Sequence, residues 1–348
     1  MLGSFWYVAN MKIEIRNGLF EETNGISVII VCFNSVSRLL PTLQHLANQE
    51  LPEGFRWEIV LVDNASTDGT TEDAQNIWLS LNQLAPLRII YEGRQGTDHA
   101  RRTGIFNANF PVFIFCDDDN WLQADYLQIG YSFLMENPEV GLVGGESLLA
   151  PCGPVPDWFK HVQSYYAVGK IADGTCDMTH YGLWGAGLMG LTHVMRKALP
   201  EQIPLLNAGR VGNSAGFGED GEMCMRVILQ GYRLVFLEQL KLWHCISPNR
   251  LTLQYRDALI RGNQHPVEVM GSYFRLLGFL KKNRALKVIT GVYHYIKWWV
   301  YKVKKSKPDE IKFSRDYLYY LLGGNQFETE DNVIIKKYWQ YAVSKKNE

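Results

Sequence analysis

Residues 26–34, ISVIIVCFN, form an unbroken, largely β-branched apolar run. Such a run predicts a strand buried on both faces, as in a parallel sheet. Leu39, Leu40, Leu43, Leu46 and Ala47 then recur at helical spacing, with Ser35 or Ser37 as a candidate cap. WEIVLVD at 57–63 predicts a second strand, and the turn at 66–69 opens a helix carrying Ile77, Leu81 and Leu84. LRIIYE at 87–92, a helical segment at 97–109 and PVFIFCD at 111–117 continue the alternation. Strands alternating with helices predict a parallel sheet covered by helices, with right-handed crossovers. Ligands of such sheets bind at the carboxyl ends of the strands. The polar residues there are Asn34, Asp63, Asn64 and Asp117–Asp118–Asp119.

From 121 to about 250 the pattern is less regular, with PCGPVPDWF at 151–159 and the Gly-rich LWGAGLMGL at 183–191. GEDGEMCMRVILQGYRLVFLE at 218–238 reads as loop, helix, stop at Gly231, then strand. Beyond 250 the chain turns helical and basic. The organisation expected is an N-terminal extension (1–25), an α/β domain (26–250, dividing near 120) and a helical C-terminal region (251–348). The first residues lack a basic segment followed by a long apolar one, so no signal peptide is expected. No apolar run reaches the length of a membrane span.

Composition adds little at first: 47% hydrophobic and 20% charged residues are ordinary for a globular chain. The six cysteines include no C-x-x-C pair, and several lie in apolar runs. Reduced thiols in a cytoplasmic protein are the expectation. The net charge of −1 argues against a general nucleic-acid binder. It conceals an asymmetry. KKNRALKVITGVYHYIKWWVYKVKKSK at 281–307 holds nine Lys and Arg and no acidic residue, so the rest of the chain carries −10. A basic helix with Trp and Tyr suits an anionic membrane surface, each Lys adding about 1 kcal/mol. The same face packing on the α/β domain is an equal alternative.

Three consecutive carboxylates after a buried strand repel one another unless a cation neutralises them. Oxygen ligands there suit Mg²⁺ or Mn²⁺ and, through it, a diphosphate; a solvated acidic turn is the plainer reading. Asp63 can accept hydrogen bonds from a base or ribose, or simply serve its turn, as expected of Asn64, Ser66 and Asp68. Glu219 and Asp220 open a helix, where acidic residues are favoured in any case. Arg101 and Arg102 can clamp phosphate or be solvated. His244 ends a strand and is either a ligand or structural.

Taken in order, VIIVCFN, EIVLVDNASTDGT, the ARRTGI stretch, FIFCDDDN, GAGLMG, GEDGEMCMRVILQGYRLVF and WH resemble the family 2 glycosyltransferases of GT-A fold, over about 26–250. The resemblance implies a Rossmann-like, mostly parallel sheet flanked by helices, with a helical C-terminal extension. It implies inverting transfer of a sugar from a nucleotide diphosphate sugar to a hydroxyl of a saccharide or lipid-linked acceptor. A divalent cation, Mn²⁺ or Mg²⁺, is the implied cofactor. By the same resemblance Asp220 matches the general base, and Asp117 and Asp119 the metal-binding pair, with His244 near the metal. Phe33, Asn34, Asp63, Arg101 and Asp118 form the implied nucleotide-sugar set. Arg102 stands where the family usually has Asn, and its role stays open. PDWF, YAVG and SPNRLT resemble a bacterial subgroup acting on cell-surface polysaccharide. A sugar-phosphate nucleotidyltransferase is the rival enzyme class. It would place a Gly-rich phosphate loop where this chain has CFNSVSRLLP. A non-catalytic nucleotide-sugar binding module is the other alternative, and it would not need a base.

Overall fold

The computed structural model describes residues 24–207, 209–210, 218–262, 269–273 and 330–344. Its first half follows the apolar pattern closely. The elements run β1 (Ile26–Cys32), α1 (Leu39–Ala47), β2 (Trp57–Asp63), α2 (Thr70–Ser80), β3 (Leu87–Tyr91), α3 (Thr97–Asn107) and β4 (Val112–Phe115). Every β2 residue and all of β4 are buried, which is why these strands read as apolar runs without alternation. The β1–β2, β2–β3 and β1–β4 pairs are parallel, and Cys32 lies opposite Asp63. The carboxyl ends of these strands therefore share one edge. Helix α3 lies directly on the sheet: a Cβ on Gly104 would come within 2.3 Å of Ile29 Cγ2. Only glycine allows that approach.

The second half is mixed. It comprises β5 (Asn120–Leu122), α4 (Tyr126–Glu136), β6 (Val140–Leu149), β7 (Cys176–Asp177), β8 (Met189–Leu191), α5 (Thr192–Ala198), α6 (Glu219–Leu229), β9 (Arg233–His244) and α7 (Leu253–Gly262). The sheet order is β3-β2-β1-β4-β8-β6-β9-β5, with β7 also on β9. Strand β8 pairs antiparallel with both β4 and β6 and joins the halves, whereas β6 and β9 run parallel. Helix α6 stops before Gly231 (φ 97°), as its sequence predicts. The cap expected of Ser35 or Ser37 is not made: Arg38 is the N-cap of α1, without a side-chain bond. The Ser35 hydroxyl instead donates to Asp118.

The cysteine expectation needs correction. Cys152 and Cys245 form a disulfide, with Cα atoms 5.7 Å apart; Cys32, Cys116, Cys176 and Cys224 are free. Cys152 follows β6 and Cys245 follows β9, whose ends are adjacent, and the Ala150 N–H donates to the His244 carbonyl at 3.0 Å. A separation of 93 residues conceals that adjacency in the sequence.

Helix α8 (Glu330–Ser344) packs on α6. The Tyr338 hydroxyl donates to the Arg226 carbonyl at 3.1 Å and accepts from Gln230 Nε2 at 3.0 Å. The Arg226 guanidinium lies 4.7 Å from the centre of the Tyr338 ring and pairs with fully buried Glu222 at 3.0 Å. The basic stretch 281–307 lies outside the described residues. Among the described residues no helix is long and apolar enough to cross a membrane.

Candidate active site

The strand ends open into a cleft of about 1380 Å³. Phe33 and Asn34 line it after β1, Asp117, Asp118 and Asp119 after β4, Glu219 and Asp220 at the start of α6, and His244 at the end of β9. The two halves of the sheet thus contribute facing walls.

On the β4 wall each aspartate meets an arginine. Asp117 lies 3.2 Å from Arg101 Nη2, Asp118 2.6 Å from Arg38 Nη2 and Asp119 3.2 Å from Arg250 Nη1. His244 Nε2 is a further 3.4 Å contact of Asp119. Burial works against ionising Asp119, but His244, Arg250 and Arg210 outweigh it and hold the carboxyl well below the usual range. Burial and the Asp119 charge push the neighbouring Asp118 upward, against the pull of Arg38. The carboxylates are therefore compensated by fixed cations, which a sequence reading of three adjacent acids does not reveal. Among the described residues no three His, Cys, Asp or Glu side chains converge as a ready cation cage. The donor set still fits such an ion. Asp119 and His244 adjoin, Asp117 is partly open to the cleft, and a cation that also binds substrate phosphates needs only one or two carboxylates.

On the facing wall, Asp220 Oδ2 accepts the Gly185 N–H at 2.8 Å and Oδ1 accepts its neighbour Gly221 N–H at 2.8 Å. This orients the carboxylate and leaves lone pairs on both oxygens. A Cβ on Gly185 would sit 2.8 Å from Arg101 Nη1, so a larger residue there would displace that guanidinium. Glu219 turns inward and accepts from Thr97 Oγ1 at 3.1 Å and Arg101 Nη1 at 3.4 Å. Burial, aided by the Asp220 charge and opposed by Arg101, pushes its carboxyl up to about 7. Arg101, almost fully buried 5.1 Å from the centre of the Phe115 ring, thereby bridges the two walls through Asp117 and Glu219.

Other residues fall differently. The Asp63 carboxylate serves its turn, accepting the Ser66 N–H at 2.9 Å and the Thr71 hydroxyl at 3.1 Å. Asn64 binds the carbonyls of Glu92 and Arg94, and Asn34 (φ 51°) holds the Thr67 N–H at 2.8 Å. Arg102 bonds the Leu199 carbonyl and pairs with Glu201 away from the cleft, which gives it a structural place on α5. Arg38, Arg210 and Arg250 escaped the sequence analysis. Nothing in their local sequence separates them from solvated arginines; only SPNRLT carried a signal, as a segment rather than a residue.

Residues 27–148 match the family described as Glycosyl transferase family 2. The chain carries a family 2 glycosyltransferase domain. That domain spans β1 through β6 and contains the Asp117–Asp119 wall, whereas Asp220 and His244 lie beyond the match. Glycosyltransferase AglE of Haloferax volcanii is 32% identical over 120 residues, which are 34% of this chain and 38% of AglE. The putative teichuronic acid biosynthesis glycosyltransferase TuaG of Bacillus subtilis is 28% identical over 137 residues, 39% of this chain and 52% of TuaG. The chain thus spans between a third and about half of these relatives. In fold, the likeness extends beyond the family 2 glycosyltransferase domain. The crystal structure of S. aureus TarS 1–349 in complex with UDP-GlcNAc superposes with a TM-score of 0.51 at 15% identity, over 93% of this chain and 92% of that one. The mixed α/β architecture is that of the GT-A fold.

Proposed function

We propose that the protein is a glycosyltransferase that moves a sugar, with inversion, from a nucleotide diphosphate sugar to an acceptor hydroxyl in cell-surface polysaccharide or glycolipid synthesis. The observation that carries this reading is the facing of two walls across one cleft: carboxylates compensated by arginines on one side, and an oriented, solvent-accessible Asp220 on the other. AglE, TuaG and the UDP-GlcNAc complex of TarS favour the same chemistry. A non-catalytic binding module has no use for the Asp220 arrangement. The β1–α1 loop spends Ser35 and Arg38 on Asp118 rather than forming a phosphate loop, which disfavours a nucleotidyltransferase.

In this mechanism the donor lies along the strand ends, its base near Phe33, with Asp63 supporting the turn beneath. Asp119 and His244, with Asp117 at the open side of the cleft, would hold Mn²⁺ or Mg²⁺, and such an ion would supply positive charge to the departing diphosphate. Asp220 takes the proton of the acceptor hydroxyl as that oxygen attacks the anomeric carbon from the face opposite the nucleotide. A single displacement inverts configuration and needs no enzyme nucleophile, so no cysteine is assigned a chemical role. We place the reaction on the cytoplasmic side of the membrane, with 281–307 against anionic lipid. Liposome co-sedimentation compared with a truncation at 280 tests that contact. Disulfides are rare in reducing compartments, so this placement expects six free thiols in protein trapped directly from cells, with the Cys152–Cys245 bond closing only on purification in air, and four free thiols in the trapped protein would overturn it.

The function is tested by incubating the protein with a panel of nucleotide sugars, UDP-GlcNAc included, with Mn²⁺ and saccharide acceptors, and following product by mass spectrometry. Asp220→Asn is expected to lower turnover about 10²–10⁴-fold while nucleotide affinity persists. Near-normal turnover in that variant would remove Asp220 from the role of base.

A further inference from the structure

Arg250 is placed for more than it does in the free protein. It sits on the short 3₁₀ turn Pro248–Arg250, just past the end of β9. Its side chain is largely buried at the cleft, with one Nη on Asp119 at 3.2 Å. Its Nε is buried without a hydrogen-bond partner. The guanidinium lies 5.7 Å from the centre of the Tyr255 ring, and Tyr166 donates to the Arg250 carbonyl at 3.1 Å. The preceding backbone is pinned where the Cys245 N–H donates to the Asp119 carbonyl at 2.9 Å. A guanidinium offers five donors in a rigid fork suited to carboxylates and phosphates. Among the described residues only one of these donors has an acceptor within hydrogen-bond distance, and a buried donor without an acceptor is costly.

Asp119 has partners besides Arg250: Asn120 Nδ2 at 3.1 Å and His244 Nε2 at 3.4 Å. A divalent cation placed on Asp119 would repel Arg250. On the glycosyltransferase reading, the anion that such a cation would accompany is the donor diphosphate.

We propose that Arg250 is a diphosphate ligand of this site, neutralising Asp119 in the free protein and turning its fork to the leaving phosphate when the donor binds. This rests on the glycosyltransferase reading and adds a substrate contact to it. The aromatic support and the pinned backbone keep the guanidinium at the cleft while its partner changes.

Titration calorimetry with UDP and UMP, in Mn²⁺ and in EDTA, separates the possibilities. In Arg250→Met, UDP affinity in Mn²⁺ is expected to fall about tenfold to a hundredfold with UMP affinity nearly unchanged. Arg250→Lys should fall in between, because it keeps the charge but loses the fork. Raising Mn²⁺ should not restore the lost UDP affinity. Parallel losses for UDP and UMP in the Lys variant, unchanged affinity for both, or rescue by excess Mn²⁺ would each reduce Arg250 to a support for Asp119 and overturn the proposal. Failure of the wild-type protein to bind any nucleoside diphosphate would instead overturn the glycosyltransferase reading itself.

Discussion

Removing the covalent link between the ends of β6 and β9 tests how far the second half of the sheet depends on it. In Cys152→Ser/Cys245→Ser the closed loop, of sequence separation 93, opens. Loop-closure entropy for that length corresponds to about 4.7 kcal/mol at 25 °C, near the upper end of the 2–5 kcal/mol typical of native disulfides. The native state keeps the Ala150–His244 and Cys245–Asp119 backbone bonds, so the loss falls mainly on the unfolded ensemble. Urea unfolding followed by tryptophan fluorescence should show a lower midpoint with the same slope. Wild-type protein treated with a dithiol should reproduce the shift, and nucleotide affinity in the folded range should change little. A thiol titration of denatured, non-reduced wild-type protein should count the four free cysteines, and six after reduction. A count of six without reduction would show that the bond is absent. Coincident midpoints in a protein shown to have lost the bond would refute the loop-entropy reasoning.

Asp119→Ala should abolish the gain in nucleotide affinity produced by Mn²⁺; an unchanged gain by calorimetry would end its metal role. Glu219 has a folded-state value of about 7 against an ordinary 4.5, so the folded protein holds the extra proton between those values. Its contribution is therefore greatest below pH 4.5 and is lost as pH rises through 7, by about 3 kcal/mol at about 1.4 per unit. Glu219→Gln should flatten that slope in unfolding experiments from pH 5 to pH 8, and an unchanged slope would assign the pH dependence elsewhere. Tyr338→Ala removes a fully buried aromatic that ties α8 to α6. It should cost about 3–5 kcal/mol by thermal or urea unfolding, and a loss below about 1 kcal/mol would mean α8 is not docked as described.

The sequence by itself determined the parallel half of the fold. Strands β1 to β4 are buried on both faces, so each appears as an apolar run, and the intervening helices show their 3.6-residue period. It also marked the carboxylates at the strand ends, Asp220 at a helix start and His244 at the end of its strand, because these stand beside strong local signals. The mixed half was less legible. Strand β8 is three residues long and owes its place to partners from β4 and β6, which are remote in the chain. Tertiary structure alone decided the charge balance of the cleft. Arg38, Arg250 and Arg210 reach the aspartates from three separate segments, and an ion pair across 80 or 131 residues leaves no local trace. The same holds for Cys152 and Cys245, whose pairing follows from the parallel registry of β6 with β9. Local pattern records what a segment buries, whereas the partners of buried charges and thiols depend on which distant segments the fold brings into contact.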